Sequence, residues 1–380
     1  MDFSLSAEQR DLKAAAAAFA QGELNRDLAA RERAGEFSRA AWEACARFGI
    51  QALPVPTEMG GGGVDILTAV LVMEGLGYGC QDNGLIFSLN AQLWSVELPL
   101  VKFGTGAQQE RYLPGLMSGE LIGVHAMTEP ESGSDAFSMR TRAERTGGGY
   151  VLTGTKQYVT NAPIADVMLI FAAHPEAPQM SAISAFLVEK GTPGLTVSRH
   201  MEKMGLRTSP MAEVVLDGCV VPEENRLGPE GAGSAIFNST MVWERSCILA
   251  GALGSMQRQL EACVAYARER RQFGQPIGAF QAISGKVADM YMRLEAARLL
   301  VYQAAWLGQQ GAAVAEAAAA KLFTSEAWVA SSLDAVQLHG AYGYMAESGI
   351  ERDLRDAVAS TIYSGTSEIQ RVILARMLGL

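Results

Sequence analysis

The sequence predicts a multidomain α+β protein in which helices come first, strands follow and helices return. Alanine-rich amphipathic stretches fill the opening part, short β-rich runs separated by Gly, Pro and Asn occupy the middle, and apolar residues at helical spacing resume after Gly233. With 380 residues, the chain is long enough for two or three buried cores. We therefore expect domains at residues 1–117, 118–228 and 229–380.

The opening segment is predicted to be helical. Ser6 followed by Gln9 fits a capping box at the start of the first helix, and amphipathic stretches continue through Phe19 and Val101. Residues 60–63 are all glycine, but no strand, helix and GxGxxG arrangement surrounds them. They are therefore interpreted as a loop and not as a dinucleotide-binding fingerprint.

The middle segment is predicted to be a small β domain. Its apolar runs are short, rich in β-branched and aromatic residues and bounded by turn residues, which is typical of strands. The runs are YVLTG from Tyr150, VMLIF from Val167, ISAFLV from Ile183, LTV from Leu195 and AEVVL from Ala212.

The last segment returns to helical periodicity. Apolar residues recur there at spacings of three and four, which places them on one face of a helix. These residues are Val287, Met290, Leu294, Ala297 and Val301. Such a face is expected to be buried in a helical bundle.

The bulk composition argues against several classes of function. A formal net charge of −10 argues against a nucleic-acid-binding surface, which needs concentrated basic residues. The five cysteines are scattered without a CxxC pair and the four histidines lie far apart, so neither a metal site nor a Ser/His pair is indicated. The N-terminus lacks the features of a signal peptide, and no apolar run approaches the length of a membrane span. We expect a soluble, cytoplasmic protein.

Two polar segments are candidates for a ligand site. The loop MTEPESGSD, from Met127 to Asp135, combines backbone amides with the hydroxyls of Thr128 and Ser134, and could hold the polar edge of a cofactor. The alternative is a tight turn rich in Pro, Gly and Ser. Further on, Tyr158 and Thr160 stand two residues apart, so on a strand they point to the same face. A planar ring system could stack on the tyrosine and form a hydrogen bond with the threonine.

Seven segments together make a more specific pattern. In chain order they are TEPESGSD, QYVTNAPIAD, EKMGLRTSPMAEVVLDGCVVPEENRLG, RERRQFGQPIGAFQAI, QLHGAYGY, RDLRDA and YSGTSEIQRVILAR. Their order and approximate spacing resemble the flavin-dependent acyl-CoA dehydrogenase family over essentially the whole chain. The resemblance implies an N-terminal helical domain, a middle β-barrel-like domain and a C-terminal four-helix bundle. It also implies a homotetramer that binds one FAD per subunit.

The same resemblance implies an activity, the α,β-dehydrogenation of an acyl thioester. In this family a carboxylate takes the α proton and the β hydride passes to flavin N5. The electrons then leave through an electron-transferring flavoprotein. The chemistry needs a base close to Cα, donors on the thioester oxygen and a flavin face aligned with Cβ.

The FAD contacts that the resemblance implies fall into two groups. The first lies in the middle domain and near the C-terminus, and consists of His125, Met127, Thr128, Gly133, Ser134, Tyr158, Thr160, Thr366 and Glu368. The second is offered by a neighbouring subunit, and consists of Arg270, Phe273, Gln281, Gln337, Gly340 and Ala341. Two residues depart from the family pattern, because Tyr158 stands where tryptophan is common and Ala341 where glycine is usual.

The usual proton-abstracting glutamate of the family falls where this chain has Ser364. An alcohol deprotonates far above the physiological range, so the serine side chain is not a strong base. The family's backbone amide at this position helps to polarise the thioester carbonyl. We therefore assign Ser364 through its amide alone and expect Ser364→Ala to have little effect. The resemblance places the relocated base at Glu244, as in isovaleryl-CoA dehydrogenase; the alternative is a solvated glutamate on a helix.

The substrate is indicated by the combination of MVWER, which contains Glu244, with YSGTS. This combination is similar to the branch that acts on carrier-bound thioesters in secondary metabolism, such as prolyl-carrier-protein dehydrogenases. The substrate contacts implied are Ser134, Trp243, Arg245 and Tyr363, although Trp243 could instead be a packing aromatic. The expected partner is an acyl or peptidyl carrier protein.

Three alternatives remain open at this point. The chain could be a conventional short- or branched-chain acyl-CoA dehydrogenase that takes free acyl-CoA. It could be a flavin oxidase or oxygenase on the same fold, or a non-catalytic FAD-binding scaffold.

Overall fold

The N-terminal part of the chain is helical, as predicted. The structure, a computed structural model, describes residues 4–175, 182–311 and 313–380. Its first helices are α1 (Ala7–Glu23), α2 (Leu28–Ala34), α3 (Arg39–Phe48), α4 (Ile66–Gly79), α5 (Asn83–Gln92), α6 (Leu98–Phe103) and α7 (Gly106–Met117). The Ser6 hydroxyl accepts a hydrogen bond from the Gln9 amide, and the Gln9 side chain accepts one from the Ser6 amide, which confirms the capping box. The glycines at 60–63 lie in the loop before α4, as predicted.

A π-helical turn, Leu93–Glu97, joins α5 to α6. Such turns widen the helix locally and occur frequently at functional sites. All of its residues are buried, including the polar Ser95 and Glu97. A buried polar side chain needs a hydrogen-bond partner, and the partner of Ser95 lies in the C-terminal domain.

The middle of the chain forms a largely antiparallel sheet. Its strands are β1 (Gly123–Ala126), β2 (Arg142–Thr146), β3 (Gly149–Thr160), β4 (Val167–Ala173), β5 (Ile183–Glu189), β6 (Leu195–Val197), β7 (Met211–Pro222) and β8 (Arg226–Leu227). Among the described residues the strand order is β6-β7-β3-β2-β4-β5-β8, and β1 runs parallel to β4. All the apolar runs identified in the sequence lie in these strands, so the predicted β domain is confirmed.

Long helices form the C-terminal part. They are α8 (Gly233–Cys247), α9 (Ala250–Glu269), α10 (Gln281–Gly308) and α11 (Val314–His339), followed by the shorter α12 (Ala341–Tyr344), α13 (Ile350–Ser360) and α14 (Ser367–Met377). A hairpin of β9 (Arg271–Gln272) and β10 (Gln275–Pro276) links α9 to α10. The predicted apolar face of α10 is confirmed, because Met290, Leu294, Ala297 and Val301 are buried. No helix in the described ranges has the length and apolarity needed to span a membrane.

The first and last domains share a tightly packed contact between α4 and α9. A Cβ atom at Gly77 would lie 2.0 Å from the carbonyl oxygen of Gly251, and one at Gly254 would lie 2.1 Å from the carbonyl oxygen of Glu74. The two helices therefore approach more closely than any larger residue would allow. This contact holds the start of the bundle against the N-terminal helices and brings α8 close to the π turn.

Candidate active site

A buried carboxylate, Glu244, lies where three separate parts of the chain meet. It stands near the end of α8 and is only 7% exposed. The Ser364 hydroxyl, from the loop between α13 and α14, donates a hydrogen bond to Oε1 at 2.5 Å. The Ser95 hydroxyl, from the π turn, donates to Oε2 at 3.0 Å. Both carboxylate oxygens are therefore held by hydroxyl groups, which disagrees with the alternative of a solvated helical glutamate.

These contacts add two functional groups to those that the sequence indicated. Ser364 was assigned through its backbone amide alone, yet its side chain also contacts Glu244. Ser95 was not indicated at all, because a serine within an apolar helical stretch carries no distinguishing pattern. Only the fold brings it to a residue 149 positions away.

The loop around Ser364 is strained and firmly held. Ser364 has φ of +53° and Gly365 φ of +90°, so both adopt left-handed backbone conformations, which are unfavourable for the serine. The Gln370 side chain donates to the carbonyl oxygens of Ser364 and Gly365 at 3.1 and 2.9 Å. Lys321 Nζ donates to the Gly365 carbonyl at 2.7 Å, and Arg245 Nε lies 3.5 Å from the Ser364 carbonyl. These donors fix the orientation of the peptide planes beside Glu244.

Aromatic side chains flank the same place. The Trp243 ring lies 5.8 Å from the Trp94 ring, centroid to centroid, and the Tyr363 ring 4.6 Å from that of Phe87. Burial raises the pKa of Tyr363, so its phenol stays neutral. Trp243 and Tyr363 therefore pack against the N-terminal helices. Because they stand next to Glu244 and Ser364 in the sequence, a packing role for Trp243 is compatible with a role in the pocket wall.

The loop that carries Met127 and Thr128 is fixed by a buried ion pair. Lys156 Nζ donates to Glu129 Oε1 at 2.7 Å and to the Met127 carbonyl at 3.1 Å. The other end of the loop is fixed because the Thr141 amide donates to Glu129 Oε1 at 3.0 Å. Clamped in this way, the loop exposes a ridge of small residues at its tip, among them Gly133 and Ser134. The exposed backbone and hydroxyl groups of a loop held at both ends are available to contact the polar edge of a ligand.

His125 lies on β1, just before this loop, among aromatic rings. Its ring centroid is 5.2 Å from that of Phe171 and 6.0 Å from that of Phe237. Burial, reinforced by the positive charge of Lys156, lowers the pKa of His125 to about 4. The imidazole is therefore neutral at physiological pH.

Tyr158 projects from β3 at a β-bulge. Lys156 pairs with Val214 and Val159 with Ala212, so β3 carries one extra residue there. Tyr158 has φ of +56°, and 59% of the residue is exposed. The bulge interrupts the regular alternation that the sequence argument used for Tyr158 and Thr160, so a shared face no longer follows from strand geometry alone. An exposed aromatic ring on a strained backbone is nevertheless suited to stacking on a planar group.

The remaining proposed FAD residues occupy two places. Thr366 caps α14, its hydroxyl accepting a hydrogen bond from the Ile369 amide at 3.3 Å, and Glu368 lies exposed in the first turn. Both adjoin Ser364 and so belong to the Glu244 region. The others lie exposed on or beside the α9–α10 hairpin and at the end of α11; they are Arg270, Phe273, Gln281, Gln337, Gly340 and Ala341.

Phe273 shows how this second group is placed. It is 93% exposed at the tip of the hairpin, with φ of +48°. Within the described part of the chain, its ring contact is with Phe280, 5.9 Å away between centroids, and the rings of Tyr266 and His339 connect α9 to α11 nearby. A large apolar ring is costly to leave in water. This group is therefore suited to contact another molecule.

Three family models match the chain in succession. The acyl-CoA dehydrogenase N-terminal domain matches residues 6–120, the middle domain 125–219 and the C-terminal domain 231–379. The chain belongs to the acyl-CoA dehydrogenase family. The resemblance identified in the sequence is thus confirmed, together with its three-domain architecture and with the class of reaction, the dehydrogenation of acyl thioesters.

The chain is similar over its full length to several characterised proteins. The L-prolyl-(peptidyl-carrier protein) dehydrogenase of Serratia sp. is 42% identical over 381 residues, covering 100% of this chain and 99% of the relative. The solved structure of the prolyl acyl carrier protein oxidase AnaB is 47% identical with a TM-score of 0.97, covering 99% of this chain and 100% of that one. PigA, solved with FAD and proline, is 42% identical with a TM-score of 0.98, covering 100% of both chains.

Proposed function

We propose that this enzyme oxidises a prolyl or related acyl thioester on a carrier protein, with FAD as electron acceptor and Glu244 as base. The observation that carries the proposal is the buried Glu244 carboxylate, held by Ser95 and Ser364 beside the loop where the family's usual glutamate is missing. Full-length similarity to carrier-dependent prolyl enzymes supports the substrate class. The structure around Glu244 supports its role independently of that similarity.

The chain's own groups can perform three parts of the reaction. Glu244 would remove the α proton of the thioester, because its carboxylate is buried and oriented through both oxygens. The Ser364 amide, in a loop fixed by Gln370 and Lys321, would donate to the thioester oxygen as negative charge develops. Packing of Trp243 and Tyr363 on the N-terminal helices would exclude water from this place. FAD supplies an acceptor for the hydride that leaves Cβ.

The residues present fit FAD in two parts. In the first part, exposed Tyr158, the clamped loop with Gly133 and Ser134, and the cap of α14 at Thr366 offer a stacking ring and polar groups. His125, Met127, Thr128, Thr160 and Glu368 belong to this part. The second group, at the hairpin and the end of α11, would contact the FAD of a neighbouring subunit.

A homotetramer is the assembly that we propose. Helices α10 and α11 carry several large apolar side chains that are more than half or nearly half exposed in the isolated chain. They are Tyr291, Met292, Leu299, Trp306, Val314 and Leu333. Apolar exposure of this kind marks contact surfaces. Analytical ultracentrifugation of the FAD-loaded protein is expected to show four subunits, and a monomer would contradict the assignment of the second FAD group.

The base is tested by Glu244→Gln, which keeps the shape of the side chain and removes its basicity. We expect FAD to remain bound and its reduction by substrate in stopped-flow experiments to slow at least ~1,000-fold, because the glutamine amide cannot accept the α proton. Glu110→Gln, an exposed position on α7, serves as the matched control and should behave like the unmodified protein. Reduction of the Glu244 variant at the unmodified rate would refute the assignment.

The substrate is tested by comparing carriers. Flavin bleaching should be rapid with a prolyl-loaded peptidyl carrier protein and slow with a panel of straight- and branched-chain acyl-CoAs. Mass spectrometry of the carrier should show the loss of two or four hydrogens from the prolyl group. Rapid bleaching by a simple acyl-CoA, with none by the loaded carrier, would instead identify a conventional acyl-CoA dehydrogenase.

The final electron acceptor has two candidates. The resemblance of the sequence to the family implies an electron-transferring flavoprotein, whereas the structural relative AnaB is named an oxidase at 47% identity. We propose the electron-transferring flavoprotein and keep dioxygen as the second candidate. Reoxidation of substrate-reduced enzyme in air-saturated buffer distinguishes them, since rapid turnover with hydrogen peroxide release would establish an oxidase.

A further inference from the structure

Lys321 is a buried cation that no step of the proposed reaction uses. It lies on α11 and is 0% exposed. Burying an ammonium group is unfavourable unless an opposite charge compensates it. Lys156, which is equally buried, has such a partner in Glu129 at 2.7 Å. Lys321 forms no ion pair with any residue in the described ranges, so its burial needs another explanation.

The contacts of Lys321 converge on the loop beside Glu244. Its Nζ atom donates to the Gly365 carbonyl oxygen at 2.7 Å and lies 5.9 Å from the centre of the Tyr363 ring. These two residues stand on either side of Ser364. The ammonium group therefore lies against the backbone of the segment whose amide would donate to the thioester oxygen.

The neighbouring carbonyl is fixed by other groups. The Ser364 carbonyl accepts a hydrogen bond from Gln370 at 3.1 Å, and Gln370 also donates to the Gly365 carbonyl at 2.9 Å. A Cβ atom at Gly365 would lie 2.7 Å from Gln370 Nε2, so a side chain there would displace the Gln370 amide, and the φ of +90° itself favours glycine. With two successive carbonyls held, the peptide planes that follow Ser364 are fixed, which helps to maintain the left-handed conformation of Ser364 at the residue that carries the amide.

Charged groups from three helices act on Lys321. Burial, reinforced by the positive charge of Arg245 on α8, lowers the pKa of Lys321 to about 8. Glu368 on α14, Glu244 on α8 and Glu326 on α11 act in the opposite direction. The ammonium form therefore predominates at pH 7 and is lost as the pH rises through about 8.

We propose that Lys321 is a positioning residue that fixes the Ser364–Gly365 backbone and places a buried positive charge behind the thioester-oxygen site. The charge would stabilise the negative oxygen that forms when the α proton leaves, acting through the loop and not by direct contact. A buried charge of this kind acts in a medium of low dielectric constant, where its influence is greater than in water. The inference rests on the proposed function only in requiring a thioester whose α carbon ionises here.

The test uses an ionisable thioester that cannot be oxidised. A 3-oxoacyl pantetheine thioester forms an enolate, and an enolate next to oxidised flavin gives a long-wavelength charge-transfer band. The pH midpoint of this band, measured on FAD-loaded enzyme, reports how well the site stabilises the enolate. In Lys321→Met the midpoint should rise by about one to two pH units, equivalent to a ~10- to 100-fold weaker stabilisation. Lys321→Arg should recover part of this shift.

The pH dependence provides a second signature. Below about pH 8 the unmodified protein should bind the enolate more tightly than Lys321→Met, and the advantage should narrow above that pH as Lys321 loses its proton. Lys102→Met is the matched control, because Lys102 also donates to a backbone carbonyl, that of Ser239, at 3.1 Å. It should leave the midpoint unchanged.

The outcomes separate the two proposals. An unchanged midpoint in Lys321→Met, with lower FAD occupancy or lower thermal stability, would assign Lys321 a purely structural role and overturn the inference. Failure of a prolyl-loaded carrier to reduce the flavin of the unmodified enzyme would refute the proposed substrate. The midpoint comparison does not depend on that result, since it uses a free pantetheine thioester.

Discussion

The two hydroxyls that hold Glu244 offer a direct test of the site's geometry. Ser364→Ala and Ser95→Ala each leave the carboxylate with one hydroxyl donor, since the two serines contact different oxygens at 2.5 and 3.0 Å. A hydrogen bond to a charged group contributes about 1.5–3 kcal/mol, and a displacement of about 1 Å in a reacting group can cost ~100-fold in rate. We expect each variant to reduce its flavin roughly 10-fold more slowly, with the larger loss for Ser364.

The double variant should lose more than the product of the single losses. One remaining donor still restricts the rotation of the Glu244 carboxylate, whereas removal of both leaves a buried charge without either hydroxyl. Groups that share one partner are coupled by about 0.5–3 kcal/mol. The combined loss should therefore approach ~1,000-fold, at which point the enzyme resembles Glu244→Gln.

Stopped-flow reduction of bound FAD by saturating prolyl-loaded carrier protein measures these effects. Ser331→Ala is the control, because the buried Ser331 hydroxyl has no hydrogen-bond partner among the described residues. FAD content and the absorption spectrum should be unchanged in every variant. If Ser95→Ala and Ser364→Ala both reduce flavin as fast as Ser331→Ala, the hydroxyls do not position the base and the reasoning fails. The sequence alone predicted little effect of Ser364→Ala, so the assay also distinguishes the two expectations.

Two further changes test groups near the site. Burial raises the pKa of Glu97 to about 8, although the hydrogen bond from Gln92 acts in the opposite direction. The contribution of Glu97 to stability is therefore present at low pH and is lost as the pH rises through about 8. The free energy of unfolding, measured with urea, should therefore rise in Glu97→Gln relative to the unmodified protein by about 1–3 kcal/mol when the pH is raised from 5 to 8. If the two proteins differ in this free energy by the same amount at pH 5 and pH 8, the expectation is contradicted. Lys156→Met should lower stability by about 3–5 kcal/mol and release FAD, because Glu129 is left buried and unpaired. Lys156→Met combined with Glu129→Gln should recover part of the loss, and no recovery would argue against the ion pair as the cause.

The parts of the fold that follow local rules could be predicted from the sequence. The capping box at Ser6 needs only two side chains three residues apart, and the apolar face of α10 needs only a regular spacing. The π turn at residues 93–97 could not be predicted, because its apolar residues are compatible with an uninterrupted helix. The bulge at Tyr158 could not be predicted either, because it depends on the register between β3 and β7.

The residues of the candidate site likewise fall into those that the sequence indicated and those that only the fold brings together. Glu244 and Ser364 were recognised because each stands within a motif of the family pattern. Ser95 and Lys321 stand outside the motifs that carried the prediction, and their importance comes from contacts with residues far away in the chain. Partners of this kind depend on how helices pack, and a single sequence does not encode that packing in a readable pattern.

The loop at Ser364 holds a strained backbone, although its side chain is not the glutamate usual in the family. A left-handed backbone costs a residue other than glycine about 1–2 kcal/mol, whatever its side chain. If the loop served only to present a base, replacing that base by serine would leave the strain without a purpose. Instead, Gln370 and Lys321 donate hydrogen bonds to the carbonyl groups of the loop, and a glycine at 365 lets Gln370 approach closely. The useful element of the loop is thus its backbone. The serine that stands at 364 adds a contact of its own, because its hydroxyl donates a hydrogen bond to the carboxylate that α8 supplies.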